Sequence, residues 1–92
     1  MTNLSFNLLI ESINQLHSYF QSQSVKAVNM GLTIRNWCIG FYIVEFEQNG
    51  EDRAKYGTTL VANIAKSIKI KGLTAPELSR CRQFYQVYPE IL

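Results

Sequence analysis

Val25 to Phe46 reads VKAVNMGLTIRNWCIGFYIVEF, and the reading of this stretch decides the fold. Its second part, 37–46, is rich in β-branched and aromatic residues and by composition fits a strand. The apolar positions nevertheless keep helical phase throughout. Val25, Val28, Leu32, Ile39, Ile43 and Phe46 fall on one stripe; Met30, Ile34, Trp37, Phe41 and Val44 fall on a second, roughly opposite one. Both stripes hold from residue 25 onward, so the segment is read as one long helix, 25–46, apolar on two sides and therefore covered on two sides. In so small a chain a second copy can supply one cover. Ile34, Trp37, Phe41 and Val44 are the candidate homodimer interface, with the opposite Ile39/Ile43 face as the alternative. Gly31 and Gly40 each weaken such a helix by about 1 kcal/mol relative to Ala, a cost that close approach of another helix explains. Arg35 and Glu45, inside the apolar pattern, need polar partners or water.

On the N-terminal side, Phe6, Leu9, Ile10, Ile13, Leu16 and Phe20 form one stripe of an amphipathic helix, 5–21, which Ser5 can cap. His17 lies at the edge of that stripe and has no neighbours that would complete a metal site. Gln21 to Ser24 is a break. On the C-terminal side, Glu47 to Asp52 forms a turn around Asn49-Gly50. A third helix, 58–70, buries Leu60, Val61, Ile64 and Ile68 and turns Thr59, Asn63, Lys66 and Lys69 to water. After Lys71-Gly72-Leu73, Thr74 and Glu77 have capping-box spacing and Pro76 sits in the first turn. The fourth helix, 75–88, has an apolar face of Leu78, Cys81, Phe84, Tyr85 and Tyr88 and a polar face of Ser79, Arg82, Gln83 and Gln86; Pro89 stops it. The fold class is all-α, a single domain over 1–92.

Ninety-two residues bury only about 60–65% of their unfolded surface, so the core is thin. The charged fraction of 17% is below the usual quarter, and its distribution is uneven. Residues 1–52 carry two basic and five acidic side chains, net −3; residues 53–92 carry seven basic and two acidic ones, net +5. A basic half fits an anionic partner such as nucleic acid as well as it fits a solvated face. Two cysteines and one histidine make neither a disulfide framework nor a zinc set. The first ten residues hold no Lys or Arg, so no secretory signal is expected. The longest apolar run free of charge, Asn36 to Val44, is far short of a membrane span. A cytoplasmic protein without membrane contact is the expectation.

Helix 58–70, a short Gly-containing turn and a capped helix 75–88 form a helix-turn-helix pattern, although an ordinary helical hairpin looks the same. In that motif the second helix enters the major groove. Arg82 and the amides Gln83 and Gln86 suit base edges, with Ser79 on the same polar face. Lys66, Lys69 and Lys71 suit phosphates. Phosphate-loop, dinucleotide and zinc-protease motifs are missing, as is any credible nucleophile–base set, so no catalytic residue, metal or cofactor is expected. Cys38 and Cys81 read as buried thiols.

Several features occur in a familiar order: Asn36-Trp37-Cys38-Ile39-Gly40, then Arg53-Ala54-Lys55-Tyr56-Gly57, then Leu73-Thr74, then Phe84-Tyr85-Gln86-Val87-Tyr88-Pro89. In these features the chain resembles the N-terminal domain of the YhcG-type bacterial nuclease family, with its Trp-x-x-Gly, Arg-Ala-x-Tyr-Gly and Phe-Tyr-x-x-Tyr-Pro segments, over nearly its whole length. The resemblance implies a helical domain of helix-turn-helix type that precedes a nuclease domain of the PD-(D/E)xK class, in proteins associated with restriction and mobile-element loci. That nuclease half is absent from these residues, so its catalytic groups map to none of them. Gly72-Leu73-Thr74 stands where relatives often have Gly-Phe-Ser, and Thr still caps. The expectation is a non-catalytic DNA-binding and assembly domain of a nuclease system, dimeric through the long helix. The alternative is a protein-interaction or dimerisation module with no DNA contact.

Overall fold

A computed structural model describes residues 4–21 and 28–90, with the side chains of 20, 21 and 28–30 outside that description. The fold is all-α. Helix α1 spans Phe6–Gln21, α2 Val28–Asn49, α3 the single turn Arg53–Tyr56, α4 Leu60–Ile68 and α5 Ala75–Val87; a 3₁₀ turn, Gly57–Thr59, joins α3 to α4. The long segment is indeed helix, and it runs three residues beyond the expected end at Phe46. Its expected start, 25–27, lies outside the described residues.

Helix α2 is the axle. One side packs on α1 and the other on α5, and the α2–α5 contact is the largest in the molecule. Ile39, Ile43 and Phe46 are fully buried together with Leu9 and Ile13 of α1, Ile64 of α4 and Leu78 of α5. Leu32, expected on the same stripe, is instead exposed. The second stripe is covered largely by the chain itself. Trp37 and Phe41 meet Tyr85 edge-on at ring distances of 5.1 and 5.6 Å, and the Trp37 indole N–H donates to the Tyr88 carbonyl at 2.7 Å. Gly40 shows why a glycine stands here. A Cβ at that position would overlap the Cys81 backbone carbonyl, so only the bare backbone lets α5 come this close.

Both ends of α1's entry are tied down. The Ser5 hydroxyl accepts from the Leu8 N–H at 3.2 Å, as a cap does. Asp52, 46 residues away, accepts from the Phe6 N–H at 2.9 Å, and the Leu4 carbonyl accepts from the Glu51 N–H at 3.0 Å. The acidic turn after α2 therefore clasps the start of α1. Short α3 follows at once and stacks Tyr56 on Phe6 at 4.2 Å, with Phe46 edge-on to both. The expected third helix thus begins at Leu60, preceded by the separate α3 and 3₁₀ turns, and ends at Ile68. It stops two residues early because Lys69 takes the left-handed conformation (φ 53°, ψ 38°) that closes a helix.

Candidate nucleic-acid interface

The α4–α5 connection is short and well defined. Lys69 is left-handed, Gly72 follows at φ 90°, a conformation open to glycine, and the Leu73 N–H returns to the Ile70 carbonyl at 3.1 Å. Leu73 is buried, pinning the turn to the core. The Thr74 hydroxyl accepts from the Glu77 N–H at 3.5 Å, and Pro76 occupies the first turn of α5. Glu77 does not complete a reciprocal capping box; its carboxylate takes Arg80 instead.

Lys66, Lys69 and Lys71 are all exposed, and among the described residues none of them forms an ion pair. They occupy the last turn of α4 and the connection, which by chain continuity gathers them at the N-terminal end of α5. The groups expected to read bases are spread along α5. Ser79 lies one turn in, and Gln86 lies about 10 Å further along the helix at 1.5 Å per residue. Ser79 and Gln83 are exposed and make no side-chain hydrogen bond among the described residues. Arg82 is differently placed. Its Nε donates to Glu47 Oε1 of α2 at 2.7 Å and its guanidinium also reaches Gln86 Oε1 at 3.3 Å. In this conformation Arg82 ties α5 to α2, and Gln86 supports it.

Of the candidate interface residues, Ile34, Trp37 and Phe41 are half-buried, whereas Val44 is buried within its own chain. The alternative face, Ile39 and Ile43, has no exposed surface and offers nothing to a partner. Val87 and Tyr88, at the end of α5 beside Trp37, are 58% and 57% exposed.

A polar cluster that periodicity did not anticipate joins α1 and α2. Arg35 donates to His17 Nδ1 at 3.0 Å and to the Asn36 amide oxygen at 2.9 and 3.1 Å. Burial, and then the charge of Arg35, lowers the His17 pKa below its usual value. Burial pushes the Cys81 thiol up to about 11, partly opposed by Arg35, and it also raises the half-buried Cys38; both shifts favour the thiol over the nucleophilic thiolate. Among the described residues there is no group of three metal-ligating side chains, and no helix is long and apolar enough to cross a membrane. Sequence reasoning flagged Arg35 as needing a partner but had no signal for which one. The capping of α1 by Asp52 had no signal either, because the two lie 46 residues apart.

No solved structure matches this chain. It is 31% identical over 93 residues to the protein named "Putative nuclease YhcG" of Escherichia coli (strain K12), an alignment covering 98% of this chain and 25% of that relative. The chain thus spans about a quarter of the length of the curated relative it matches. Residues 12–92 match the DUF1016 N-terminal domain. Within them Trp37, Gly40, Tyr56 and Tyr85 each stand at a packing contact, and the chain belongs to the DUF1016 N-terminal domain family of YhcG-type proteins.

Proposed function

We propose that this domain is a non-catalytic nucleic-acid-binding and assembly unit of a nuclease system, and that α4, the turn and α5 act as a helix-turn-helix-like element on DNA. The observation that carries this reading is the set of three exposed, unpaired lysines, Lys66, Lys69 and Lys71, beside the start of a capped helix. Phosphate contacts need exposed cations, and a recognition helix reads bases from its N-terminal part. Ser79 and Gln83 are the groups best placed for base edges. Arg82 reaches a groove only by leaving Glu47. Arg80 lies on the same early part of the helix, in an exposed ion pair of the kind that water and phosphate readily replace.

Titration of labelled duplex DNA at about 50 mM and about 200 mM salt tests the reading. Binding that weakens steeply with salt is expected, and no binding at the lower salt contradicts it. Assembly is the second part. Ile34, Trp37 and Phe41, extended by exposed Tyr88, form the apolar surface through which we expect a homodimer. Dimers at micromolar concentration in sedimentation support this; a clean monomer contradicts it and leaves the second stripe to the domain's own helices. Dimers without any DNA binding would favour a pure interaction module.

A further inference from the structure

Arg35 is a half-buried cation with only neutral partners. All seven Asp and Glu side chains fall within the described residues, and none pairs with it. Glu47 takes Arg82, Glu77 takes Arg80, Glu45 accepts from Asn49, and Asp52 caps α1. Arg35 has instead one imidazole nitrogen and one amide oxygen. Cys81, close enough to interact with it electrostatically, is a neutral thiol at pH 7. A partly desolvated guanidinium gains most from an ionised acceptor, and the described residues provide none.

We propose that Arg35 and His17 together bind a phosphate oxyanion where α1 meets α2. Arg35 has five N–H donors, of which His17 and Asn36 engage three. Because Nδ1 of neutral His17 accepts from Arg35, the ring proton sits on Nε2, leaving a second kind of donor at the same site. Asn36, which holds the guanidinium's orientation, also lines a surface groove of about 210 Å³ with Glu77, Arg80, Cys81 and Phe84, where Arg80 is paired with Glu77. The phosphate is either free or part of a nucleic-acid backbone. The site uses none of the three lysines of the α4–α5 element, so this proposal and the DNA-binding reading stand or fall separately.

His17 is the chain's single histidine, so its imidazole NMR signals are unambiguous. Three additions are compared at constant ionic strength near neutral pH: inorganic phosphate, a short single-stranded oligonucleotide without terminal phosphates, and chloride. The expected result is a saturable shift of the His17 ring signals and of the Arg35 Nε–H signal with phosphate, the oligonucleotide or both, and none with chloride. A response to phosphate alone identifies a free phosphate group as the ligand; a response to the oligonucleotide identifies the backbone. Arg35→Gln should abolish the His17 response, and the triple variant K66Q/K69Q/K71Q should keep the phosphate response. No saturable shift with either ligand, or a shift that survives Arg35→Gln, overturns the proposal. If Arg35→Gln does not fold, as Trp37 fluorescence will show, the Arg35 Nε–H signal of the unaltered chain decides. A phosphate response in a protein that binds no duplex DNA would sustain this site while removing the DNA-binding reading.

Discussion

Helix α5 makes two unlike contacts. Against α2 it is locked: a bare glycine backbone meets the Cys81 carbonyl, Leu78 is fully buried, and Trp37, Phe41 and Tyr85 interleave. Against α4, its neighbour in sequence, the contact is thinner, and Leu60, Ile64, Ile68 and Leu73 are buried in the shared core. The hairpin that reads from sequence as one unit is therefore held in place mainly by a third helix. The two contacts divide the labour. The α2 side sets where α5 lies, and the α4 side carries the unpaired cations. A domain that presents a helix to a partner needs that helix fixed from behind, and here α2 provides the fixing.

Four changes test this division, from the largest effect to the smallest. Phe46→Ala empties a fully buried site on α2 and should cost about 3–5 kcal/mol in urea unfolding, a large share of a typical domain's 5–15 kcal/mol or so; a loss below about 1 kcal/mol would mean the core lies elsewhere. Gly40→Ala adds one methyl against a backbone carbonyl that cannot rotate away, and should cost about 1–3 kcal/mol. If it stabilises instead, as Ala does in an unobstructed helix, the α2–α5 seam is looser than described. Arg82→Ala removes a partly exposed ion pair to Glu47 and should cost at most about 1 kcal/mol of stability; a strong loss of base preference with stability unchanged would assign Arg82 to the groove rather than the seam. The smallest effect is that of pH. His17 is held below its usual pKa by burial and by Arg35 from α2, with the neutral Cys81 thiol of α5 near that arginine. Unfolded His17, near 6.5, binds a proton that the folded chain resists. Stability is therefore full above about pH 6.5 and declines as pH falls from there to the lower folded pKa, then levels. Urea midpoints between about pH 8 and pH 5 should show this decline, and His17→Gln should flatten it.

The helices were legible wherever one face was apolar and the ends were marked. Phe6, Leu9 and Ile13 placed α1, and Thr74 with Pro76 placed the start of α5. The two-sided character of 25–46 was also legible, but not what covers it. Whether Trp37 and Phe41 meet another chain or Tyr85 of their own depends on the direction α5 takes, and periodicity within one helix contains no such information. Helix α3 was missed because four residues show no period; Tyr56 is placed by a stack on Phe6, fifty residues away. The end of α4 was overshot because Lys69, a residue without special turn preference, takes the left-handed position. In the candidate interface, helical phase put Lys66 and Lys69 on the water side, and Lys71 followed from its place in the turn. That Arg82 turns to Glu47 did not, since the two residues are 35 apart and meet only once α5 lies on α2.

The central claim is that the three unpaired lysines at the start of α5 carry an electrostatic contact with nucleic acid. The most direct test measures the affinity for duplex DNA as a function of salt, for the unaltered chain and for K66Q/K69Q/K71Q, with circular dichroism confirming an unchanged helical fold. With about 0.9 counterion released per phosphate contact, the slope of log affinity against log salt should become shallower by about 2–3 in the variant, equally on unrelated sequences. An unchanged slope in a folded variant would contradict the claim.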